Sequence, residues 1–137
     1  DGPPFAAYFT NEAGGRSLEQ KVPERKTFTQ ANRVKSHERF QEVYGKGRSY
    51  VDSYGVFYVL PSDNGQCQLG TAVGKRLGHA VLRNRVKRMM REVFRQEQGK
   101  LKRKAAIVWV ARRRLAHAPY EVYKDVFYRL AKKAGLL

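Results

Sequence analysis

Acidic residues are scarce in this chain, and they are missing altogether where basic residues are densest. The 137 residues include 12 Asp and Glu against 28 Lys and Arg, a formal net charge of +16, and no carboxylate occurs from Asn64 through Arg91. Clustered carboxylates that would hold Mg2+ for phosphodiester cleavage therefore have no place in the basic stretch. Cysteine is scarcer still. The lone Cys67 excludes an intramolecular disulfide and a cysteine-based metal cluster, and the three histidines, His37, His79 and His117, lie far apart in sequence. Long apolar runs are lacking too. The longest clean one, Ala105 to Ala111, is far too short to span a bilayer, and no charged segment followed by an apolar one opens the chain. The expectation is a single-domain cytoplasmic protein with no membrane partner, no protein-bound metal and no obligate protein partner.

The residues present point the other way, toward a polyanion. Lys75 to Arg91, KRLGHAVLRNRVKRMMR, places seven Lys/Arg in seventeen residues. A solvated helix face ordinarily mixes signs, because Glu and Lys at i,i+4 spacing support each other. A one-sign face carries unneutralised potential that recruits nucleic acid. At about 100° per residue on a helix from Val81 to about Gln98, Leu82, Val86, Met89 and Val93 fall together as the core side, with Met90 at its edge. Asn84, Lys87, Arg88, Arg91 and Arg95 fall opposite, and Arg83 and Arg85 flank the boundary. Arginine offers a planar fork for bidentate phosphate contact, and Asn can bond both a phosphate oxygen and a carbonyl.

The chain divides into a tail and a body. Residues 1–32, rich in Gly, Pro, Ser, Thr, Asn and Gln with little periodicity, read as a flexible N-terminal extension; residues 33–137 read as one nucleic-acid-binding domain. The first fifteen residues hold no Lys or Arg, which argues against a transit peptide. In the body, Phe40, Val43 and Tyr44 at i, i+3, i+4 predict a short helix over His37 to Tyr44, ended by Gly45-Lys46-Gly47. Tyr50-Val51, Tyr54 to Leu60 and Gln68 to Val73 predict strands, with Pro61 to Gly65 as turn chemistry making the last two a β-hairpin. A strand over Ala105 to Ala111 and a helix from Pro119 to about Ala134 complete the order α-β-β-β-α-β-α.

The run from Gly70 to Arg88, GTAVGKRLGHAVLRNRVKR, resembles the signature of the bacterial ribonuclease P protein family, whose hallmark is Arg-Asn-Arg, a hydrophobic residue and then Lys-Arg. The likeness extends upstream through Arg39 to Gly47 and Val56 to Tyr58, and downstream to about Ala134. It implies an α/β fold, an α+β sandwich of the type shared with the second domain of ribosomal protein S5, with a left-handed βαβ crossover; such handedness runs against the usual rule. It implies a protein cofactor of a catalytic RNA that removes the 5′ leader of precursor tRNA, with chemistry and Mg2+ both belonging to the RNA. By this resemblance Lys75, Arg76, Arg83, Asn84, Arg85, Lys87, Arg88 and Arg91 face the catalytic RNA. Phe40, Tyr44 and Tyr58 line a cleft for the single-stranded leader, where aromatic faces stack on any base. Tyr44 stands where the family commonly has Phe, Gly74 where Ser is frequent and His79 where Asn is frequent.

Three other classes compete. An autonomous nuclease is opposed by the missing carboxylates, and a His-based one by the lack of two positioned catalytic groups. A DNA-binding module is opposed by the absence of helix-turn-helix or zinc-finger spacing. A ribosomal or other structural RNA-binding protein fits charge and fold equally well, and only the Arg83-Asn84-Arg85 block with the Phe40, Tyr44 and Tyr58 set discriminates against it.

Overall fold

A computed structural model of the chain describes residues 33–34, 36–62 and 65–137; the expected flexible extension over 1–32 lies outside them, as does the tip of the turn at Asp63 and Asn64. Helix α1 spans His37–Lys46, opened by Ser36, whose hydroxyl accepts the Arg39 N–H at 3.1 Å. It continues two residues past the predicted end, through Gly45 and Lys46, and stops at Gly47, whose N–H reaches the Val43 carbonyl at 2.9 Å. Strands β1 (Arg48–Asp52), β2 (Gly55–Pro61) and β3 (Gln68–Ala72) follow, then helix α2 (Ala80–Glu97), strand β4 (Ala105–Ala111) and helix α3 (Tyr120–Lys133). The element order is the predicted one, and the strand Ala105–Ala111 has the predicted bounds.

The strand pairing corrects one expectation. The four-stranded sheet has the order β1-β2-β4-β3, so β2 and β3 do not form a hairpin. The hairpin is β1–β2, closed by Ser53 and Tyr54 between the paired Asp52 and Gly55, with the Asp52 carboxylate accepting the Tyr54 N–H at 3.0 Å. β4 lies between β2, to which it is antiparallel, and β3, to which it is parallel. Its sequence AAIVWVA explains the placement: a strand apolar on both faces belongs in the middle of a sheet, and all but Val110 of its residues are buried. The parallel β3–β4 pair requires a crossover, and α2 provides it. Outside β3, the Val34 N–H donates to the Leu69 carbonyl at 3.1 Å, and Arg33 bridges to Leu69, which covers that edge.

The two faces of the sheet are unequally covered. On one, α2 lies over β3 and α3 over β1 and β2, enclosing Phe57, Leu69, Ile107 and Trp109 together with Val86, Met90, Val93, Phe94, Tyr123 and Phe127. Phe57, Trp109 and Phe127 meet edge-on or tilted at centroid distances of 5.6 to 5.8 Å, an arrangement that adds about 0.5–1.5 kcal/mol per pair beyond area burial. A polar clasp joins the ends of α2 and α3: buried Glu97 accepts from the Tyr128 hydroxyl and pairs with Lys100 at 3.3 Å and Lys124 at 3.7 Å. Burial alone would push the Glu97 carboxyl up, but these partners outweigh it and hold the group below its ordinary value. On the other face, among the described residues, only α1 packs, its Phe40 and Val43 clustering with Val34, Ala72, Ala106 and Val108. Val56, Tyr58, Leu60 and Val110 there stay partly exposed, and Val51, paired with Val56, is 49% exposed.

Candidate nucleic-acid interface

The basic stretch begins where β3 ends. Lys75 and Arg76 stand exposed on a single 3-10 turn, Lys75–Leu77, and the chain reverses at Gly78 to enter α2. Gly78 has φ 147°, a backbone conformation that favours glycine, and a Cβ there would also push the tip of the Leu82 side chain, 2.7 Å away, aside. The Arg83 Nε donates to the Gly78 carbonyl at 3.0 Å, so this arginine braces the turn while the rest of its guanidinium remains available. Among the described residues Lys75, Arg76, Asn84, Arg85 and Arg88 are exposed and make no side-chain hydrogen bond or ion pair, while Arg91 is partly buried.

The start of α2 is bare in a way that the start of α1 is not. Its N-cap, His79, makes no side-chain cap bond, and the first turn holds no acid, whereas α1 has both Ser36 and Glu38. The unpaired N–H groups and the positive end of the helix dipole thus face solvent beside Arg83 and Arg85. Such an end costs about 1 kcal/mol relative to a good cap, and its N–H groups are ready donors to phosphate oxygens. Val81, 76% exposed, projects from the same turn.

Two residues of the predicted basic face lie elsewhere than expected. Lys87, expected opposite the core, is 3% exposed. Its charge is not presented on the α2 surface. The buried arc of α2 comprises Val86, Lys87, Met90, Val93, Phe94 and Glu97, while Leu82 and Met89, expected in the core, are only partly covered. The reason is α3: a helix flanked by both a sheet and a second helix buries a wider and rotated arc than one stripe at i, i+3, i+4. Arg95 is neutralised inside the helix by Glu92, which its Nε contacts at 3.0 Å; this hydrogen bond lowers the Glu92 carboxyl and raises Arg95. The uncompensated cations therefore end at the middle of α2.

The predicted aromatic set does come together on the α1 side of the sheet. The Tyr44 and Tyr58 rings meet edge to face at 4.7 Å, and Phe40 lies 6.4 Å from Tyr44. Their accessibility differs. Tyr44 and Tyr58 are half-buried, but Phe40 is 1% exposed, seated over Gly70, where a Cβ would come within 2.7 Å of Phe40 Cζ. Phe40 is thus a floor of this surface, not a stacking face. Gly70 of β3, with no side chain, lets the ring sink onto the sheet.

One group escaped the sequence analysis. Ser53, Arg76, Leu77, Arg112, Arg113 and Arg114 surround a depression of about 450 Å3. A signal existed: no carboxylate occurs between Glu97 and Glu121, and three arginines stand together within that interval. Among the described residues no group of three or more His, Cys, Asp or Glu is placed to hold a metal ion, and no helix is long and apolar enough to cross a membrane.

Residues 28–135 match the family model described as Ribonuclease P. The ribonuclease P protein component of Bacillus pumilus is 37% identical over 106 residues, covering 77% of this chain and 89% of its own length. That of Natranaerobius thermophilus is 36% identical over 104 residues, covering 76% and 90%. Among solved structures, the RNase P protein of Staphylococcus aureus is similar with a TM-score of 0.72 at 30% identity, over 78% of this chain and 98% of that one; a mutant of it is described as having defective mRNA degradation activity. The RNase P protein of Thermotoga maritima is similar with a TM-score of 0.64 at 26% identity, over 69% and 89%.

Proposed function

Because the chain belongs to the ribonuclease P protein family, we propose that it binds the catalytic RNA of ribonuclease P and assists removal of the 5′ leader from precursor tRNA. The observation that carries this reading is the acid-free set of exposed cations around the uncapped start of α2. Lys75, Arg76, Arg85 and Arg88, with Arg83, Asn84 and Arg91, contact RNA phosphates and displace counterions. Tyr44 and Tyr58 hold the single-stranded leader on the opposite face of the sheet, supported by Phe40. Separate faces let one small protein touch catalytic RNA and substrate together.

In this reading the polypeptide supplies position and charge, while the RNA holds Mg2+ and carries out the cleavage. Cations delivered by the protein lower the Mg2+ needed for the RNA to fold and to accept its substrate. The test is binding of the full chain to a bacterial ribonuclease P RNA across monovalent salt. If four to six cations touch phosphates, the log-log slope of affinity against salt is about −3 to −5; a flat response contradicts docking through this face. A protein-alone arm against precursor tRNA and an unstructured mRNA accompanies it, given the mRNA degradation attributed to the S. aureus relative. Cleavage there would overturn the assignment of the chemistry to RNA.

A further inference from the structure

We propose that Arg112, Arg113 and Arg114, together with Arg76, form a second phosphate-binding site for the same catalytic RNA that α2 docks on. The inference rests on the function proposed above and adds a contact that neither the Arg-Asn-Arg segment nor the aromatic surface contains. Four arginines and no carboxylate line one concave depression of about 450 Å3. Like charges gathered in a concavity focus the potential, and the arrangement is relieved by an anion with several acceptor oxygens.

The three arginines follow the end of β4, two of them held by contacts to the β1–β2 turn. The 3-10 turn Arg113–Leu115 is pinned by the buried Leu115, whose N–H donates to the Arg112 carbonyl at 2.9 Å. Arg112 Nη1 donates to the Asp52 carbonyl at 3.3 Å. The Arg114 guanidinium lies 4.9 Å over the Tyr54 ring, a cation–π contact that holds its charge beside the turn. Arg113 is exposed and, among the described residues, makes no side-chain hydrogen bond or ion pair. The carboxylate at the neighbouring turn, Asp52, is fully engaged: Arg129 contacts both its oxygens at 2.8 and 3.1 Å, and the Tyr54 N–H contacts one of them at 3.0 Å. It leaves these arginines their charge.

The depression lies at the same end of the sheet as the start of α2 and away from the Tyr44 and Tyr58 surface. β3 and β4 are parallel, so the loop that carries Arg76 into α2 and the turn that carries Arg112 to Arg114 leave the same end of the sheet. Leu77 and Tyr54 pack against the core beneath α2 and α3, whereas Tyr44 and Tyr58 belong to the opposite face. Arg76 is common to the basic loop and the depression. A phosphodiester backbone running from the start of α2 over residues 75–77 reaches the depression without changing sides. Two separated anchors on one RNA would fix the direction in which α2 lies, which a single cluster cannot do.

Arg113 is the clean position to test, since Arg112 and Arg114 also serve the fold. The full chain carrying Arg113→Ala or Arg113→Glu is compared with Arg85→Ala for binding to the catalytic RNA across salt. Urea unfolding midpoints confirm that each variant is intact. Arg113→Ala is expected to weaken binding about fivefold and to make the salt slope shallower by about 0.9, the loss of one phosphate contact; Arg113→Glu is expected to weaken it about twentyfold or more. Binding within twofold of the parent for Arg113→Glu, with an unchanged slope and a clear loss for Arg85→Ala, overturns the second site and leaves α2 docking standing. No loss in any of the three overturns the docking reading itself. If Arg113→Glu leaves assembly unchanged but weakens capture of precursor tRNA by the preformed holoenzyme, the depression faces substrate and the proposal fails.

Discussion

Asp52 shows how much one carboxylate does in a chain with few of them. It closes the β1–β2 turn and ties it to α3 through Arg129, and its side chain is 8% exposed while that of Arg129 is 47% exposed. The Arg129 hydrogen bond, opposed by burial and aided by the Tyr54 N–H, holds its carboxyl below the usual carboxylate value. A depressed folded pKa contributes stability above the unfolded value of about 3.9, and that contribution is lost as pH falls through the folded one. Asp52→Asn is therefore expected to lower the unfolding free energy by about 1–2 kcal/mol near pH 7. This is less than for a fully buried pair, because Arg129 remains solvated. The deficit should shrink as pH drops below the carboxylate range, read by urea denaturation at several pH values; a deficit constant down to strong acid would contradict the role of the pair. Phe40 and Tyr58 separate along another line. Phe40→Ala empties a site in the core and should cost about 3–5 kcal/mol of stability, whereas Tyr58→Ala should leave the fold near parental. Tyr58→Ala should weaken binding of leader-bearing precursor tRNA by about 1–3 kcal/mol relative to leaderless tRNA. Equal loss on both substrates would remove Tyr58 from the leader surface.

At the scale of elements, α2 has been left unfinished at its start. Replacing His79 by Asp would give the helix a capping side chain and an acid near its positive end, raising stability by about 1 kcal/mol. The same change places a negative charge where phosphate is expected, so catalytic RNA binding should weaken several-fold as the melting temperature rises. A stabilised variant with undiminished binding would show that the helix start does not meet RNA. Much of this element was legible in sequence, since the acid-free run and the Arg83-Asn84-Arg85 block need no tertiary information. Lys87 was not legible, because its burial depends on α3 lying alongside α2, and periodicity within one helix holds no record of a second neighbour. β4 and α3 were read within a residue of their bounds, one from its unbroken apolar run and the other from its stripe and Pro119. The false β2–β3 hairpin arose because turn residues at Pro61 to Gly65 report a change of direction, not which strand is met next. The uniformly apolar β4 was the clue that a later strand would be inserted there. The depth of Phe40 escapes its own periodicity for a similar reason, being set by Gly70 on another element.

Across the whole molecule, the excess positive charge is distributed rather than confined to one face. Besides α2 and the Arg112 to Arg114 turn, Lys46, Arg48, Arg103 and Lys104 border a cavity of about 380 Å3 at the opposite end of the sheet. A body charged at both ends binds any polyanion at low salt, so affinity alone does not identify the partner; a leader-dependent effect on cleavage does. The most direct measurement is cleavage of a precursor tRNA series with increasing 5′ leader length, at low Mg2+, by the protein alone, a bacterial ribonuclease P RNA alone and the two together. Acceleration is expected in the combined sample only, growing as the first few leader nucleotides are added and then reaching a plateau. Acceleration that ignores leader length, or none when the two are combined, would contradict a protein that docks the catalytic RNA with one face and the leader with the other.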